Sequence, residues 1–397
     1  MVKHYDLTYI YFNQVMIEEV MKKLDLSMTS GPEGVPSILL NKCSESLSFP
    51  LFLLWHKSLQ CGHFPVRLKD AFINPGLKSG GNKNNPASWR PIALTSQISK
   101  FFEKIMKIQI MNHLEANDHI GKFQFGFRKG KSCLSQMIKF YDDITEHLEN
   151  GLNIDTIYLD MEKAFDRVDL GLLAHRIKEN HIFGKVGLWL NSFITNRRQQ
   201  VLANGKLSGI TNNISGVPQG TVLGPVLFLL IIESLGKMDL NCDLSSFADD
   251  TKIMALIKSI EDALKLQEDV LKLNDWQKIN NMTFNDHKFM LLQFGTNYNL
   301  SQEYNYLTPN EDNVILPSND IRDLGIQISC DGTYKDHISK IISKSNQRIS
   351  LLLRTFQTRE PSLMRQLWRQ YVQPIIDYCS QMWCPIEGGQ IMRLGHS

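Results

Sequence analysis

The sequence lacks the features that mark secreted, membrane-spanning and zinc-binding proteins. Its 397 residues include seven scattered cysteines, and no two of them form a C-x-x-C pair. We therefore expect reduced thiols, with no disulfide framework and no zinc knuckle. The longest apolar run, residues 222–232, is interrupted by Gly224 and Pro225 and is too short to cross a bilayer, so it predicts a buried helix. The N-terminus has no secretory apolar core. These absences favour the nucleus or cytoplasm over secretion or a membrane, without choosing between the two.

Charge of one sign is also scarce, because the formal net charge is only +2. The total charge therefore gives no sign of a nucleic-acid partner. Locally, residues 122–131 contain no acidic residue, and Lys340, Lys344 and Arg348 recur every four residues on one face of a predicted helix. A solvated helix face explains such a stripe as well as phosphate binding does, unless a polymerase site lies nearby.

Two carboxylate-bearing turns are the most informative feature that is present. Residues 154–160 predict a strand that ends at Asp160, and residues 244–256 predict a β-hairpin with Asp249 and Asp250 at its tip. Alone, an Asp-Asp pair is typical of a hydrated turn. Together, three such carboxylates make an all-oxygen site for Mg²⁺, and two ions ~4 Å apart suit phosphoryl transfer. The set favours a nucleic-acid polymerase.

The order of predicted elements indicates an α+β fold. Long helices are predicted at residues 37–63, 98–114 and 260–280, with strands at 154–160 and 289–294 and helices from 337 onward. Residues 74–91, with Gly80, Gly81 and three prolines, predict a loop. Strands and helices do not alternate as in βαβ units, so an antiparallel sheet is favoured.

Several motifs, in this order, resemble the reverse transcriptases of non-LTR (LINE-type) retrotransposons, above all the jockey-like elements. Each motif alone is weak, and the ordered set carries the resemblance. The motifs are Gly31-Pro32-Glu33-Gly34-Val35-Pro36, Trp89-Arg90-Pro91-Ile92-Ala93-Leu94, Phe125-Gly126-Phe127-Arg128-Lys129-Gly130, Leu159-Asp160-Met161-Glu162-Lys163-Ala164-Phe165-Asp166, Ser215-Gly216-Val217-Pro218-Gln219-Gly220, Phe247-Ala248-Asp249-Asp250 and Asp323-Leu324-Gly325.

The resemblance implies an RNA-directed DNA polymerase with a right-hand fold: an antiparallel palm sheet, mostly helical fingers and a short helical thumb. It implies fingers at residues 1–150 with the start of the palm, a palm at 151–320, and a complete or truncated thumb at 321–397. The expected partners are an RNA template, a DNA primer and deoxynucleoside triphosphates. Two Mg²⁺ ions, or Mn²⁺ in their place, are expected on Asp160, Asp249 and Asp250.

The resemblance also assigns roles to further residues. Phe165 corresponds to the family's steric gate against ribose, with a core aromatic as the alternative. Lys288 corresponds to the lysine that protonates leaving pyrophosphate, with a surface salt bridge as the alternative. The remaining substrate and nucleic-acid contacts are Lys78 and Arg90 for the β- and γ-phosphates, the backbone of Lys163 and Ala164 for the triphosphate, Gln219 and Gly220 beside the nucleotide, and Arg128, Lys129 and Lys131 for the template.

The sequence also departs from the family. Residues 231–235 read Ile-Ile-Glu-Ser-Leu where relatives have Tyr-Ile-Asn-Asp-Leu. No endonuclease module is recognisable, although a full element is expected to carry one. The alternative function is therefore a truncated, catalytically inactive copy that binds nucleic acid. An RNA-dependent RNA polymerase is a more remote alternative, which Phe165 and the Phe-Ala-Asp-Asp motif disfavour.

Overall fold

The computed structural model describes residues 5–78, 80–295 and 304–384. Its α-helices are α1 (Gln14–Lys22), α2 (Ser37–Lys42), α3 (Ser44–Cys61), α4 (Gln97–Ala116), α5 (Cys133–Glu149), α6 (Ala164–Arg167), α7 (Leu170–Glu179), α8 (Gly184–Ile194), α9 (Gly224–Ile232), α10 (Ile260–Asn280), α11 (Lys335–Thr355), α12 (Pro361–Tyr371), α13 (Gln373–Asp377) and α14 (Ser380–Trp383). Its strands are β1 (Ala71–Leu77), β2 (Trp89–Leu94), β3 (Asn153–Leu159), β4 (Arg198–Ala203), β5 (Lys206–Leu207), β6 (Thr211–Asn212), β7 (Asp243–Phe247), β8 (Asp250–Ile257), β9 (Met290–Phe294), β10 (Asp320–Asp323) and β11 (Ile326–Ser329).

The chain folds into two compact units, each assembled from separate segments. The first unit comprises the described residues of Met1–Phe127, Met161–Met238 and Trp276–Thr283. The second comprises those of Arg128–Asp160, Asp239–Asp275 and Phe284–Ser397. The expected boundaries of fingers, palm and thumb stay a prediction. The part of the expected thumb at residues 385–397 lies outside the described residues.

Aromatic packing joins three helices in the first unit. The ring of Trp55 on α3 stacks on Phe102 of α4 with ring centres 4.3 Å apart. Trp189 on α8 meets both rings edge-on, and its indole N–H donates to Ser58 Oγ at 2.8 Å. Because all three aromatic side chains are fully buried, they fix how these helices pack.

The first unit also holds a five-stranded sheet, in the order β2-β1-β4-β5, with β6 beside β4. The prediction of a loop across residues 74–91 is therefore wrong at both ends, where β1 and β2 pair antiparallel. Their prolines, Pro75 and Pro91, lie opposite each other. β2 is an edge strand, and β1 pairs with β4 only through Ala71–Ile73, so few ladder hydrogen bonds are lost.

The second unit is built on a four-stranded antiparallel sheet in the order β7-β8-β3-β9. Every residue of β3 is buried. An apolar cluster packs on the sheet and draws on α5, the β10–β11 hairpin, α11 and α14. The α+β fold class with an antiparallel sheet is confirmed.

The apolar run at residues 222–232 forms the buried helix α9, as predicted. Every residue of α9 except Pro225 is buried. Within the described part of the chain, no helix is both long enough and apolar enough to span a bilayer.

Candidate active site

The predicted carboxylate hairpin is present in the second unit. β7 and β8 pair down to Phe247 and Asp250, which leaves Ala248 and Asp249 as a two-residue turn. Ala248 has a φ of 60°, the left-handed backbone of tight hairpin turns. The Ser246 hydroxyl donates to the Ala248 carbonyl at 2.8 Å. This local hydrogen bond holds the turn that carries Asp249.

Asp160 follows the last residue of the neighbouring strand. Leu159 of β3 pairs with Thr251 of β8, so the next position along each strand is Asp160 on one and Asp250 on the other. The backbone carbonyl of Asp160 accepts a hydrogen bond from the Asn285 amide at 2.8 Å. The sheet register thus brings Asp160 and Asp250 to one end of the sheet, as the sequence predicted.

One cavity of about 470 Å³ collects the charged side chains of this sheet end. It contains two of the predicted carboxylates together with two lysines and a further carboxylate. The charged residues that line it include Asp160, Asp250, Lys252, Lys288 and Asp323. The cavity therefore contains acids and bases side by side.

Neighbouring charges and burial shift the pKa of Asp250 in this cavity. The pKa of Asp250 is raised to about 6, first because surrounding protein atoms desolvate the carboxylate, although the residue keeps an exposed surface. The negative charges of Asp249, Asp323 and Asp160 raise this pKa further, and Lys252 opposes them. The neighbouring carboxylates thus disfavour the charged form of Asp250, and a bound cation would offset their repulsion.

Lys288 forms an ion pair with Asp160, with 3.0 Å between Nζ and Oδ2. The lysine side chain is 61% exposed. This pair is the salt bridge named above as the alternative to protonating pyrophosphate. Because the lysine side chain is largely exposed, its ammonium can still reach a ligand in the cavity. The two roles are compatible.

The donor set can be compared with the expected metal. The carboxylates of Asp160, Asp249 and Asp250 have the hard oxygen chemistry that Mg²⁺ prefers. Among residues 5–78, 80–295 and 304–384, however, no three His, Cys, Asp or Glu side chains are close enough to hold a metal ion. The carboxylates therefore match Mg²⁺ in donor chemistry but are not gathered as a metal site in this structure, where the Lys288 ammonium pairs with Asp160.

In the first unit, Phe165 is a half-buried aromatic on the short helix α6. Its ring stacks on Phe228 at 4.4 Å and meets the edge of Phe127 at 6.4 Å. Lys163 precedes α6 with a φ of 50°, and Ala164 is buried. These contacts fix the Phe165 ring while leaving part of it exposed.

Gln219 and Gly220 are held against Asp166 and β2. Gln219 Nε2 donates to Asp166 Oδ1 at 2.9 Å, and the Ala93 amide donates to the Gln219 carbonyl at 2.7 Å. Gly220 has a φ of 126°, and a Cβ there would lie 2.2 Å from the Ala93 carbonyl oxygen. Glycine is required at this position by its contact with β2.

Asp166 lies within α6 and does not cap α7. The N-cap of α7 is Asp169, whose carboxylate accepts from the Leu172 amide. Burial raises the pKa of Asp166, whereas the Gln219 hydrogen bond and the charges of Lys163 and Lys78 lower it. Because its carboxylate accepts the hydrogen bond from Gln219, Asp166 orients that side chain.

The two expected phosphate-binding cations lie on the β1–β2 hairpin. Lys78 directly follows β1, and its ammonium donates to the Ala87 carbonyl at 2.9 Å. Arg90 is exposed on β2 opposite Gly76. Both side chains lie at the surface of the first unit.

The expected nucleic-acid contacts belong to the second unit. Lys129 and Lys131 are exposed in a turn, beside the half-buried Arg128. The stripe on α11 is exposed at Lys340, Lys344 and Arg348, while Ile338, Ile341 and Ile342 on the other face pack into the apolar cluster. The predicted helix with its basic stripe is confirmed, and its binding role stays a prediction.

Comparison with known proteins decides the family. A family model described as reverse transcriptase (RNA-dependent DNA polymerase) matches residues 81–328. The chain belongs to the reverse transcriptase family. This family relationship is the one that the ordered motifs predicted.

The relatives are polymerases of mobile elements. The chain is 25% identical to the probable RNA-directed DNA polymerase from transposon X-element of Drosophila melanogaster, over 95% of this chain and 42% of that protein. It is 28% identical to the RNA-directed DNA polymerase from mobile element jockey of the same species, over 69% of this chain and 31% of that protein. The chain thus spans less than half the length of these relatives.

Among solved structures, an apo telomerase from Candida tropicalis, truncated from the C-terminal domain, aligns with 67% of this chain and 54% of its own. The TM-score is 0.45 and the identity 14%. This likeness is too weak to support an argument.

Sequence reasoning missed Lys252, which lines the cavity and forms a buried ion pair with Asp323. The Asp323-Leu324-Gly325 motif was noticed, yet nothing in it indicates a lysine partner 71 residues away. The sequence signal for this pair was a lysine within a largely apolar predicted strand, which indicates a buried cation that needs an acidic partner.

Proposed function

We propose that the chain is the polymerase region of a non-LTR retrotransposon and catalyses RNA-directed DNA synthesis. The substrates are deoxynucleoside triphosphates, a DNA primer and an RNA template. The observation that carries the proposal is the pairing of β3 with β8, which brings Asp160 and Asp250 to one cavity. The family match over residues 81–328 supports the same chemistry.

In the second unit we assign the catalytic role to Asp160, Asp249 and Asp250. These residues are proposed to hold two Mg²⁺ ions, or Mn²⁺ ions, which would activate the primer hydroxyl and neutralise charge on the leaving oxygen. Lys288 is proposed to donate a proton to the departing pyrophosphate, because its ammonium is hydrogen-bonded to the Asp160 carboxylate. Positioning and charge neutralisation then supply most of the rate enhancement.

In the first unit we assign triphosphate binding to Lys78 and Arg90. Arginine offers a planar fork to phosphate oxygens, and lysine a mobile point charge. The backbone amides of Lys163 and Ala164 suit the same anion, because amides attract phosphate regardless of side chain.

Phe165 is proposed to select deoxyribose by filling the space beneath the sugar. Its fixed position on Phe228 supports that role, because a gate must not swing away when a ribose hydroxyl arrives. Gln219 and Gly220 are proposed to lie beside the nucleotide.

We propose that cations of the second unit bind the template and primer. The loop at residues 128–131 contributes Arg128, Lys129 and Lys131, and α11 contributes Lys340, Lys344 and Arg348. We further propose that residues 1–150 act as fingers, 151–320 as palm and 321–397 as thumb.

The proposal is tested by primer extension with an oligo(dT) primer on poly(A) RNA. The Asp249→Asn variant is expected to lose extension while binding the template with the affinity of the parent. The matched control is Asp243→Asn, an exposed aspartate at the far end of β7, which should extend normally. Extension by Asp249→Asn at the parent's rate would refute the carboxylate assignment.

An inactive parent would instead support the alternative of a non-catalytic copy. Template affinity, measured by fluorescence anisotropy of labelled RNA, then decides whether the chain still binds nucleic acid. A parent that neither extends primers nor binds RNA would refute both functions.

A further inference from the structure

A buried ion pair lies directly beside the carboxylate turn of the second unit. Lys252 stands two residues after Asp250 on β8, and alternate residues of a strand face the same side. Its ammonium bonds to the carboxylate of Asp323, with the two side chains 3% and 7% exposed. The ammonium also lies 3.6 Å from the centre of the Phe140 ring and 5.5 Å from that of Tyr158. This charge pair is enclosed by protein.

Stability alone is a poor explanation for such a pair. Removing two charges from water is costly, and a well-packed apolar pair of similar volume commonly stabilises a fold as well or better. A buried ion pair differs from an apolar contact mainly in its directional geometry.

Asp323 is the last residue of β10, immediately before the turn of the β10–β11 hairpin. The turn residues Leu324 and Gly325 have φ values of 44° and 92°. Leucine rarely adopts a positive φ, and such strained residues persist only where their surroundings hold them. Here the Tyr378 hydroxyl donates a hydrogen bond to the Leu324 carbonyl at 2.7 Å. Two distant segments thus anchor successive residues of one strained turn.

The anchored turn forms part of the wall of the carboxylate cavity. Leu324 and Asp323 line the same cavity of about 470 Å³ as Asp160 and Asp250. Lys252 links the two groups, because it lies on the strand that begins at Asp250 and pairs with Asp323. A displacement of the hairpin turn would therefore change the shape of the space in front of the two carboxylates.

We propose that Lys252, Asp323 and Tyr378 are positioning residues, which hold the Leu324–Gly325 turn as a fixed wall of the cavity that Asp160 and Asp250 line. The inference rests on the polymerase function proposed above. The wall keeps the reacting end of the primer aligned with the carboxylates. Misplacing that end by about 1 Å can lower the rate on the order of a hundredfold. The three residues need not touch the reacting atoms.

The decisive variant is the double substitution Lys252→Met with Asp323→Leu. It removes both buried charges and keeps the volume, so we expect a melting temperature at or above that of the parent. We expect kcat for primer extension to fall about tenfold or more, with the KM for the deoxynucleotide unchanged, because the cations assigned to triphosphate are untouched. A purely structural pair would leave kcat unchanged in this stable variant.

Tyr378→Phe tests the second anchor by removing one hydroxyl. Its matched control is Tyr306→Phe, which removes the hydroxyl that donates to buried Asp155 at 2.7 Å in the same unit. Asp155 lies on β3 opposite Ala255, several residues from the carboxylate end. We expect Tyr378→Phe to lower kcat several-fold at little cost in melting temperature. We expect Tyr306→Phe to lower the melting temperature and leave kcat intact.

The outcomes separate this inference from the function on which it rests. An active parent whose stable double variant and Tyr378→Phe variant keep the parent's kcat would overturn the positioning role alone. A parent that does not extend primers would refute the polymerase function, and the inference with it. A lower kcat in both variants, without a change in nucleotide KM, would support it.

Discussion

His337 gives the second unit a pH dependence whose size follows from the structure. The side chain is 3% exposed, and its Nδ1 accepts a hydrogen bond from the Gln327 amide at 3.2 Å. Its ring meets Trp383 edge-on at 5.2 Å, and Nε2 is buried without a hydrogen-bond partner among the described residues. An acceptor Nδ1 requires the neutral ring, so protonation would break this arrangement.

Burial lowers the pKa of His337 from 6.5 to about 4, and the positive charges of Lys340 and Arg322 act in the same direction. A base with a lowered pKa binds fewer protons in the folded state than in the unfolded state between those two values. Stability is therefore fully present above pH 6.5 and is lost as the pH falls toward 4. At about 1.4 kcal/mol per pH unit, the full effect is roughly 3 kcal/mol.

The test compares the parent with His337→Gln in urea unfolding at pH 7 and pH 5. Glutamine keeps an acceptor for the Gln327 amide but does not titrate, so the variant isolates the histidine. We expect the parent to lose about 2 kcal/mol more free energy of unfolding than the variant between the two pH values. Equal losses in the two proteins would refute the argument that burial keeps this ring neutral.

Three further predictions concern the proposed site. Phe165→Ala should raise the ratio of ribonucleotide to deoxynucleotide kcat/KM by about tenfold or more, and an unchanged ratio would count against the sugar gate. Lys288→Met should leave the melting temperature nearly unchanged, because an exposed pair contributes roughly 0–1 kcal/mol. The same variant should lower kcat about a hundredfold if the ammonium protonates pyrophosphate. A normal kcat would refute the acid role and show that Lys288 serves only in the salt bridge with Asp160. Gly220→Ala should destabilise the fold by about 2–3 kcal/mol in urea unfolding, since its Cβ would collide with the Ala93 carbonyl. Gly205→Ala, also at positive φ but with open space around the Cβ, is the control and should cost clearly less.

Local pattern was sufficient wherever a single segment determines the structure. The helix predicted at residues 260–280 matches α10 residue for residue. The hairpin predicted at residues 244–256 matches β7 and β8 within one residue at either end. Both segments are long or strongly patterned, and the turn between β7 and β8 carries its own hydrogen bond from Ser246. Such elements depend little on the rest of the chain.

Prediction failed where long-range pairing overrides local composition. The prolines and glycines of residues 74–91 predict a loop, yet β1 and β2 form there because β1 pairs with both β2 and β4. The β10–β11 hairpin was missed as well, since its turn places Leu324 in a conformation that leucine avoids. Lys252 contacts the strand end before this turn and Tyr378 contacts the turn itself, and no local window of sequence includes either residue.

The candidate site divides along the same physical boundary. Asp160 follows a strand, and Asp249 and Asp250 lie at a hairpin turn, so the local sequence pattern predicts the positions of these acids. The cations near them follow no local rule, because Lys288 pairs with Asp160 from 128 residues away and Lys252 pairs with the neighbouring acid Asp323 across 71. A carboxylate site needs nearby cations or a bound metal, because the acids otherwise repel one another. Sequence therefore reveals where the carboxylates gather, whereas only the folded chain reveals which lysines pair with carboxylates there. The proposed Mg²⁺ site at the β3–β8 end is tested by measuring Mg²⁺ binding to the parent and to Asp160→Asn.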